Sequence, residues 1–252
     1  MQLADMTWPA VQALDKNTPV VFPIAALEQH GHHLPLFTDS LLLGEVIRRA
    51  AGKVGDRVLF APLTWLGNSD HHLDFVGTLS APPRTYLDLL NGLFENFLQH
   101  GFRRLVFVNG HGGNDVPGKQ AVFEVRQRHR GRDDLLLLFA TYWNLAEPSR
   151  LAGLGLRQRE MGHACEWETS MILRLAPNLA GDFKKLDPVE PGIGFAPATR
   201  GWITKERTGP GHLGHPREAS AEKGEALFQI FGDGLSAFLE RVIAWDGKGW
   251  NG

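Results

Sequence analysis

Pro19 to Asp39 reads PVVFPIAALEQHGHHLPLFTD. The run Pro19–Ala26 is uniformly apolar, which suits a short strand of a parallel sheet covered on both faces. The character then changes at once. Glu28, His30, His32, His33 and Asp39 crowd the next stretch. Two carboxylates and three imidazoles so close together are costly to hold without a cation among them, and a divalent metal site is the simplest explanation. Thr38-Asp39-Ser40 opens a helix to about Val54, with Leu41, Leu42, Leu43, Val46, Ile47 and Ala50 as its apolar positions. The stretch is therefore strand, polar loop and helix, with the polar loop at the strand's C-terminal end, where open α/β sheets carry their sites.

The same alternation continues along the chain. Arg57–Pro62 (RVLFAP), Arg104–Asn109 (RLVFVN) and Leu135–Tyr142 (LLLLFATY) read as further strands. Pro83–His100 has a helical apolar period and is stopped by Gly101; Val116–Arg130, Glu168–Leu175 and Glu218–Ile243 read as helices. Asp182–Pro216, rich in Gly and Pro, reads mostly as loop. With no repeat and no linker composition, the expectation is one α/β domain over residues 1–252, a layered sandwich with a mainly parallel central sheet flanked by helices.

Composition narrows the function. A formal net charge of −2 gives no electrostatic case for nucleic acid or an anionic membrane. The one cysteine, Cys165, rules out an internal disulfide and a thiolate cluster. The first residues lack the basic and apolar regions of a secretory signal, and no apolar run reaches membrane-spanning length, so a cytoplasmic enzyme is expected.

Glu28 and His30, two apart, point to one side of an extended segment. Asp39 has two oxygens and is the natural bridge between two metals, although its place beside Thr38 and Ser40 also suits a helix N-cap. Spacing alone leaves His32 and His33 open as replacements for His30. His111, in the loop Asn109-Gly110-His111-Gly112-Gly113-Asn114, is a further candidate ligand. A plain Gly-rich turn or an anion-cradling loop are the competing readings there. His163 is a candidate acid or base, and Glu166 or Glu168 a candidate ligand, against the ordinary preference for Glu at a helix start. Cys165 reads as inert packing. The loop Gly67–His72, with Ser69, His71 and His72, is more plausibly substrate-facing than ligating.

LEQHGHHLPLFTD, GNSDHH with VGT, NGHGGN, TYWN, HACEWETS and GHLGHPREASAEKGEAL occur in this order between about residues 20 and 228. Together they resemble the creatininase family of creatinine amidohydrolases and their relatives. The resemblance implies an α/β fold around a parallel sheet, two ions of Zn, Mn or Fe per chain, and a homohexamer. It implies that Glu28, His30, Asp39 and His111 are metal ligands, with Asp39 bridging. It makes His163 the proton relay, and Glu168 a catalytic-site carboxylate that completes the metal set. Two departures stand out. Creatininase proper carries Tyr and a ligating Glu where this chain has Gly112 and Gly113, and a Trp-Asp pair where this chain has Arg159-Glu160. The substrate pocket therefore differs from that of creatininase.

The expected chemistry is metal-assisted hydrolysis of a C–N bond in a small cyclic amide or formamide. A bridging water of lowered pKa attacks, and His163 protonates the leaving nitrogen. Ser69, His72 and Trp143 are the expected substrate contacts. Lactone or peptide cleavage on the same metals is the alternative within hydrolases. A non-catalytic anion-binding α/β protein using the NGHGGN loop is the alternative outside them.

Overall fold

The computed structural model describes residues 1–192 and 194–250. In chain order the helices and strands are α1 (Trp8–Gln12), β1 (Val20–Ile24), α2 (Thr38–Val54), β2 (Leu59–Phe60), α3 (Pro83–Gln99), β3 (Arg104–Asn109), α4 (Asp115–Arg128), β4 (Leu136–Thr141), α5 (Pro148–Ala152), α6 (Glu166–Leu175), α7 (Thr204–Arg207) and α8 (Ala221–Ala244). The four strands form one parallel sheet in the order β2-β1-β3-β4. The predicted α/β architecture with a parallel sheet between helices is the one observed.

Alternate residues of the central strands feed two separate cores, as a strand's period of two requires. Val21, Val106 and Val108 pack with α2, α6 and α8, through residues such as Leu43, Met171 and Phe231. Val20, Phe22, Leu105 and Phe107 pack on the other face with α3 and α4, through Tyr86, Leu90, Phe94 and Val125. There the rings of Phe94 and Phe107 stack at 4.0 Å. The helices approach closely where a glycine permits it: a Cβ on Gly224 of α8 would lie 2.0 Å from the carbonyl oxygen of Ser170 in α6.

Pro23 sits inside β1, a central strand, although proline cannot donate to a ladder. On its β2 side the neighbouring chain has already left strand register: Thr64 N–H donates to the Pro23 carbonyl, and Ala25 N–H to that of Thr64. That departure corrects the strand expected over Arg57–Pro62. Only Leu59 and Phe60 pair, opposite Val20 and Val21, because Gly55–Arg57 forms a 3-10 turn before them. The last helix likewise starts later than the apolar pattern suggests. Pro216–Glu218 forms its own 3-10 turn, and Ser220 caps α8 by accepting from Lys223 N–H at 3.3 Å. No described helix is long and apolar enough to cross a membrane.

Candidate metal centre

The segment after β1 and the loop after β3 leave neighbouring strands at their C-terminal ends and are tied to one another by asparagines. Asn114 accepts from Asn68 N–H and donates to the Ala25 carbonyl, both at 2.9 Å. Asn109 accepts from His111 N–H at 3.1 Å and donates to the His111 carbonyl at 2.8 Å. Such satisfaction of backbone groups is what a plain Gly-rich turn would show. It also fixes His111 against the first loop rather than competing with a ligand role.

Glu28, His30, Asp39 and His111 converge and are buried. His30 Nδ1 lies 3.1 Å from the Glu28 carbonyl oxygen, which can only accept, so that nitrogen carries the hydrogen. Its Nε2 then faces Asp39 Oδ1 at 3.1 Å and Glu168 Oε1 at 3.6 Å. His111 is arranged the same way with its nitrogens exchanged. Nε2 donates to the Asn68 carbonyl at 2.9 Å, and Nδ1 faces Asp39 Oδ2 at 3.0 Å and Glu28 Oε1 at 3.3 Å. An imidazole fixed by a carbonyl on one side, with its other nitrogen turned to carboxylates, has the usual outer support of a metal-ligating histidine.

Asp39 is in the first turn of α2 and caps nothing; Phe37 holds the cap position. Its two oxygens address His30 and His111 separately. Buried Glu28 Oε2 and Asp39 Oδ2 have no aligned hydrogen-bond donor, despite the nearness of His111 to the latter. Orphaned buried carboxylate oxygens are costly, and a cation is the partner this donor set suits. Glu28, His30 and Asp39 can offer ligand atoms within 4.8 Å of one another, and so can His30, His163 and Glu168. At two of the imidazoles the carboxylates dominate. Burial disfavours a charged His111, yet Glu28 and Asp39 raise its pKa to about 10. His30 is also raised well above the usual imidazole range, because Asp39 and Glu168 outweigh its burial.

A second imidazole pair, His72 and His163, is organised by Gln29, which the sequence did not single out. The Gln29 side-chain oxygen accepts from Gly31 N–H at 2.8 Å, which fixes the orientation of the amide. Its nitrogen then donates to the Gly211 carbonyl and to His72 Nδ1, each at 2.8 Å. His72 therefore carries its hydrogen on Nε2, 3.3 Å from Glu28 Oε1. His163 Nε2 lies 2.8 Å from the Gln29 carbonyl oxygen, so its Nδ1 is the nitrogen turned to the cluster, 3.6 Å from Glu28 Oε1. Burial, followed by the nearby His30 charge, lowers the pKa of His163. The one sequence signal for Gln29 was its place between Glu28 and His30, where alternation would turn it away from them.

The remaining candidates separate cleanly. Glu166 is wholly buried but points elsewhere, to Lys223 Nζ at 2.6 Å and Arg157 N–H at 2.7 Å. Glu168, not Glu166, reaches the cluster. His32 is exposed, and His33 is tied to Thr169 Oγ1 at 2.9 Å, which leaves His30 as the histidine of its segment that meets Asp39. Ser69 is completely buried, with its hydroxyl 3.2 Å from His111 Nε2. That contact places Ser69 beside the ring of a candidate ligand. Trp143 is half-buried against the core and edge-on to Tyr142. Cys165 is buried, and burial pushes its thiol up to about 12, which suits packing and not nucleophilic attack.

Known proteins share this arrangement of the chain. Residues 4–239 match the creatininase family, described as creatinine amidohydrolase. The creatinine amidohydrolase of Pseudomonas putida is 28% identical over 249 residues, covering 93% of this chain and 94% of that protein. The mycofactocin precursor peptide peptidase of Mycobacterium tuberculosis is 30% identical over 241 residues, covering 90% of this chain and 85% of that one. A mutant creatininase complexed with creatine superposes with a TM-score of 0.82 and 28% identity, covering 96% of this chain and 98% of its own. Creatininases of Zn-Zn type and with Mn superpose at 0.81, with 28% and 27% identity over 95% of this chain and 97% of theirs. With a family match over nearly its whole length and the same fold, the chain belongs to the creatininase family.

Proposed function

We propose that this protein hydrolyses the C–N bond of a small cyclic amide or formamide at a centre of two divalent ions, Zn, Mn or Fe. Glu28, His30, Asp39, His111 and Glu168 would hold them. The observation that carries this reading is the placement of Asp39, one oxygen on His30 and the other on His111, each imidazole fixed by a backbone carbonyl. When bound, such ions supply a water of lowered pKa and polarise a scissile carbonyl.

The chain's own groups do the rest. Glu28 orients toward His111, His72 and His163 at once through Oε1, so one carboxylate links the ligand set to the proton-handling side. His163 keeps its hydrogen on Nε2 and presents Nδ1 to the reacting region, where it would take a proton and return it to the leaving nitrogen. Gln29 holds His163 and His72 in register. Exposed Leu73, Val76 and Leu79 in one loop are consistent with burial against further copies of the chain, and we infer a homo-oligomer, a hexamer by family.

The similarity to a peptide peptidase favours peptide cleavage on the same residues as the second reading. Elemental mass spectrometry of the purified protein, followed by a panel of cyclic amides, formamides, lactones and peptides, tests both. Two ions per chain with turnover of amides is expected. Two ions with turnover of peptides alone selects the second reading, and no uptake of metal on titration overturns both.

A further inference from the structure

Adjacent histidines in the Gly67–His72 loop have different surroundings. His72 is committed on both nitrogens, to Gln29 and to Glu28. His71 is half-buried, and among the described residues neither of its ring nitrogens has a hydrogen-bond partner. Its ring lies nearly parallel to that of His111, 9° apart in plane with centroids 5.8 Å apart, and edge-on to Trp202 at 5.0 Å. Trp202 is in turn covered by the Arg207 guanidinium at 4.6 Å. The ring is thus positioned by packing alone.

Gly113 is what lets it approach. A Cβ there would lie 2.1 Å from the Asn68 carbonyl oxygen, 2.5 Å from His111 Nε2 and 2.8 Å from His71 Cε1. Any side chain would push the Asn68–His71 backbone away from His111. With glycine the loop closes, and Glu28, His71 and His111 can offer ligand atoms within 4.8 Å of one another. Two donors on one ion with bonds of about 2.1 Å sit at most about 4.2 Å apart, so a small inward movement completes such a set.

We propose that His71 is a further metal ligand, on the Glu28–His111 side of the centre. This inference rests on the binuclear reading above. It adds a donor to that ion without adding negative charge to a pocket that already gathers three carboxylates. It also assigns the two ions different donor sets: Glu28, Asp39, His111 and His71 for one, Asp39, His30 and Glu168 for the other.

The test uses the full chain, stripped with a chelator and reloaded with Co²⁺, for wild type, His71→Ala and His71→Gln. The ligand-field absorption of Co²⁺ and chelator competition are read together, and circular dichroism checks that each variant folds. Wild type is expected to take up two ions. Each folded variant should keep one at wild-type affinity, bind the other at least about 10-fold more weakly, and change the absorption of that weaker site alone. Two ions in a folded variant, with unchanged affinity and absorption, would overturn the role of His71 and leave the binuclear centre standing. A wild type that takes up no Co²⁺ would overturn the centre and the ligand together. His71→Gln keeps the bulk of the ring's neighbourhood and serves if His71→Ala does not fold.

Discussion

Asp39 Oδ1 lies 3.1 Å from His30 Nε2, nine positions apart along a chain that turns back between them. The contact joins the segment leaving β1 to the first turn of α2, where a carboxylate is favoured by the helix dipole. It also leaves the second oxygen of Asp39 for His111. Asp39→Ala should therefore abolish turnover and weaken uptake of both ions by more than about 100-fold, beyond what an outer partner of a ligand contributes. Two ions per chain at full occupancy in this variant, measured by elemental mass spectrometry, would sink the bridging role.

Glu166 and Glu168 are two residues apart and should behave as opposites. Glu166 is wholly buried and accepts from the partly exposed Lys223, and a hydrogen bond to a charged group is worth about 1.5–3 kcal/mol. Glu166→Ala should lower stability by about that amount in urea melts while metal content stays at the wild-type level. Glu168→Gln should lower metal content and activity. Equal metal loss in both variants would mean that the helix start, not the Glu168 carboxylate, is what the centre needs.

The legibility of this site in the sequence follows from how local each signal is. β1 and α2 are bounded by an apolar run and a clear helical period, so Glu28, His30 and Asp39 could be placed at a strand end without any tertiary knowledge. The choice of His30 over His33 depends on Thr169, more than a hundred residues away, which takes the His33 ring. Glu166 and Glu168 are indistinguishable until Lys223 is brought beside α6 by α8. Gln29 was invisible because its partners, His72, His163 and Gly211, lie on three separate segments. β2 is shorter than its apolar run because such a run signals burial, while pairing depends on where the chain turns.

Away from the site, the Glu225 carboxylate bridges Arg49 and Arg174, and hydrogen bonding to Arg49 holds its pKa at about 2. A depressed carboxylate contributes stability that is present above its unfolded value, near 4.5, and is lost as pH falls toward about 2. Glu225 and Arg174 are exposed, which screens the interaction and keeps the effect small. Glu225→Gln should unfold at a slightly lower urea concentration than wild type at pH 7, and the gap should narrow progressively between pH 4.5 and pH 3. A gap that persists undiminished at pH 3 would assign the loss to packing and not to charge.

Gln29 should prove to be a positioning residue for His163 and His72, not a ligand. Removing its amide frees the His72 ring and takes away the side-chain contact with His163, whose Nε2 still donates to the residue-29 backbone carbonyl, while the carboxylates and the ligand imidazoles keep their own supports. Gln29→Ala should keep two ions per chain and the native fold, and lower kcat by about 10- to 100-fold, the range for loss of an outer hydrogen-bonding partner. The acid limb of the kcat profile should stay in place, since the residue-29 backbone carbonyl still enforces the His163 tautomer. Gly211 supplies an independent way to the same disturbance. Its φ is +89°, and a Cβ there would meet the Gln29 side-chain oxygen at 2.2 Å. Gly211→Ala should therefore displace the same amide and reproduce the loss in kcat with metal retained. If either variant loses metal in proportion to activity, Gln29 acts on the centre itself and is not a positioning residue.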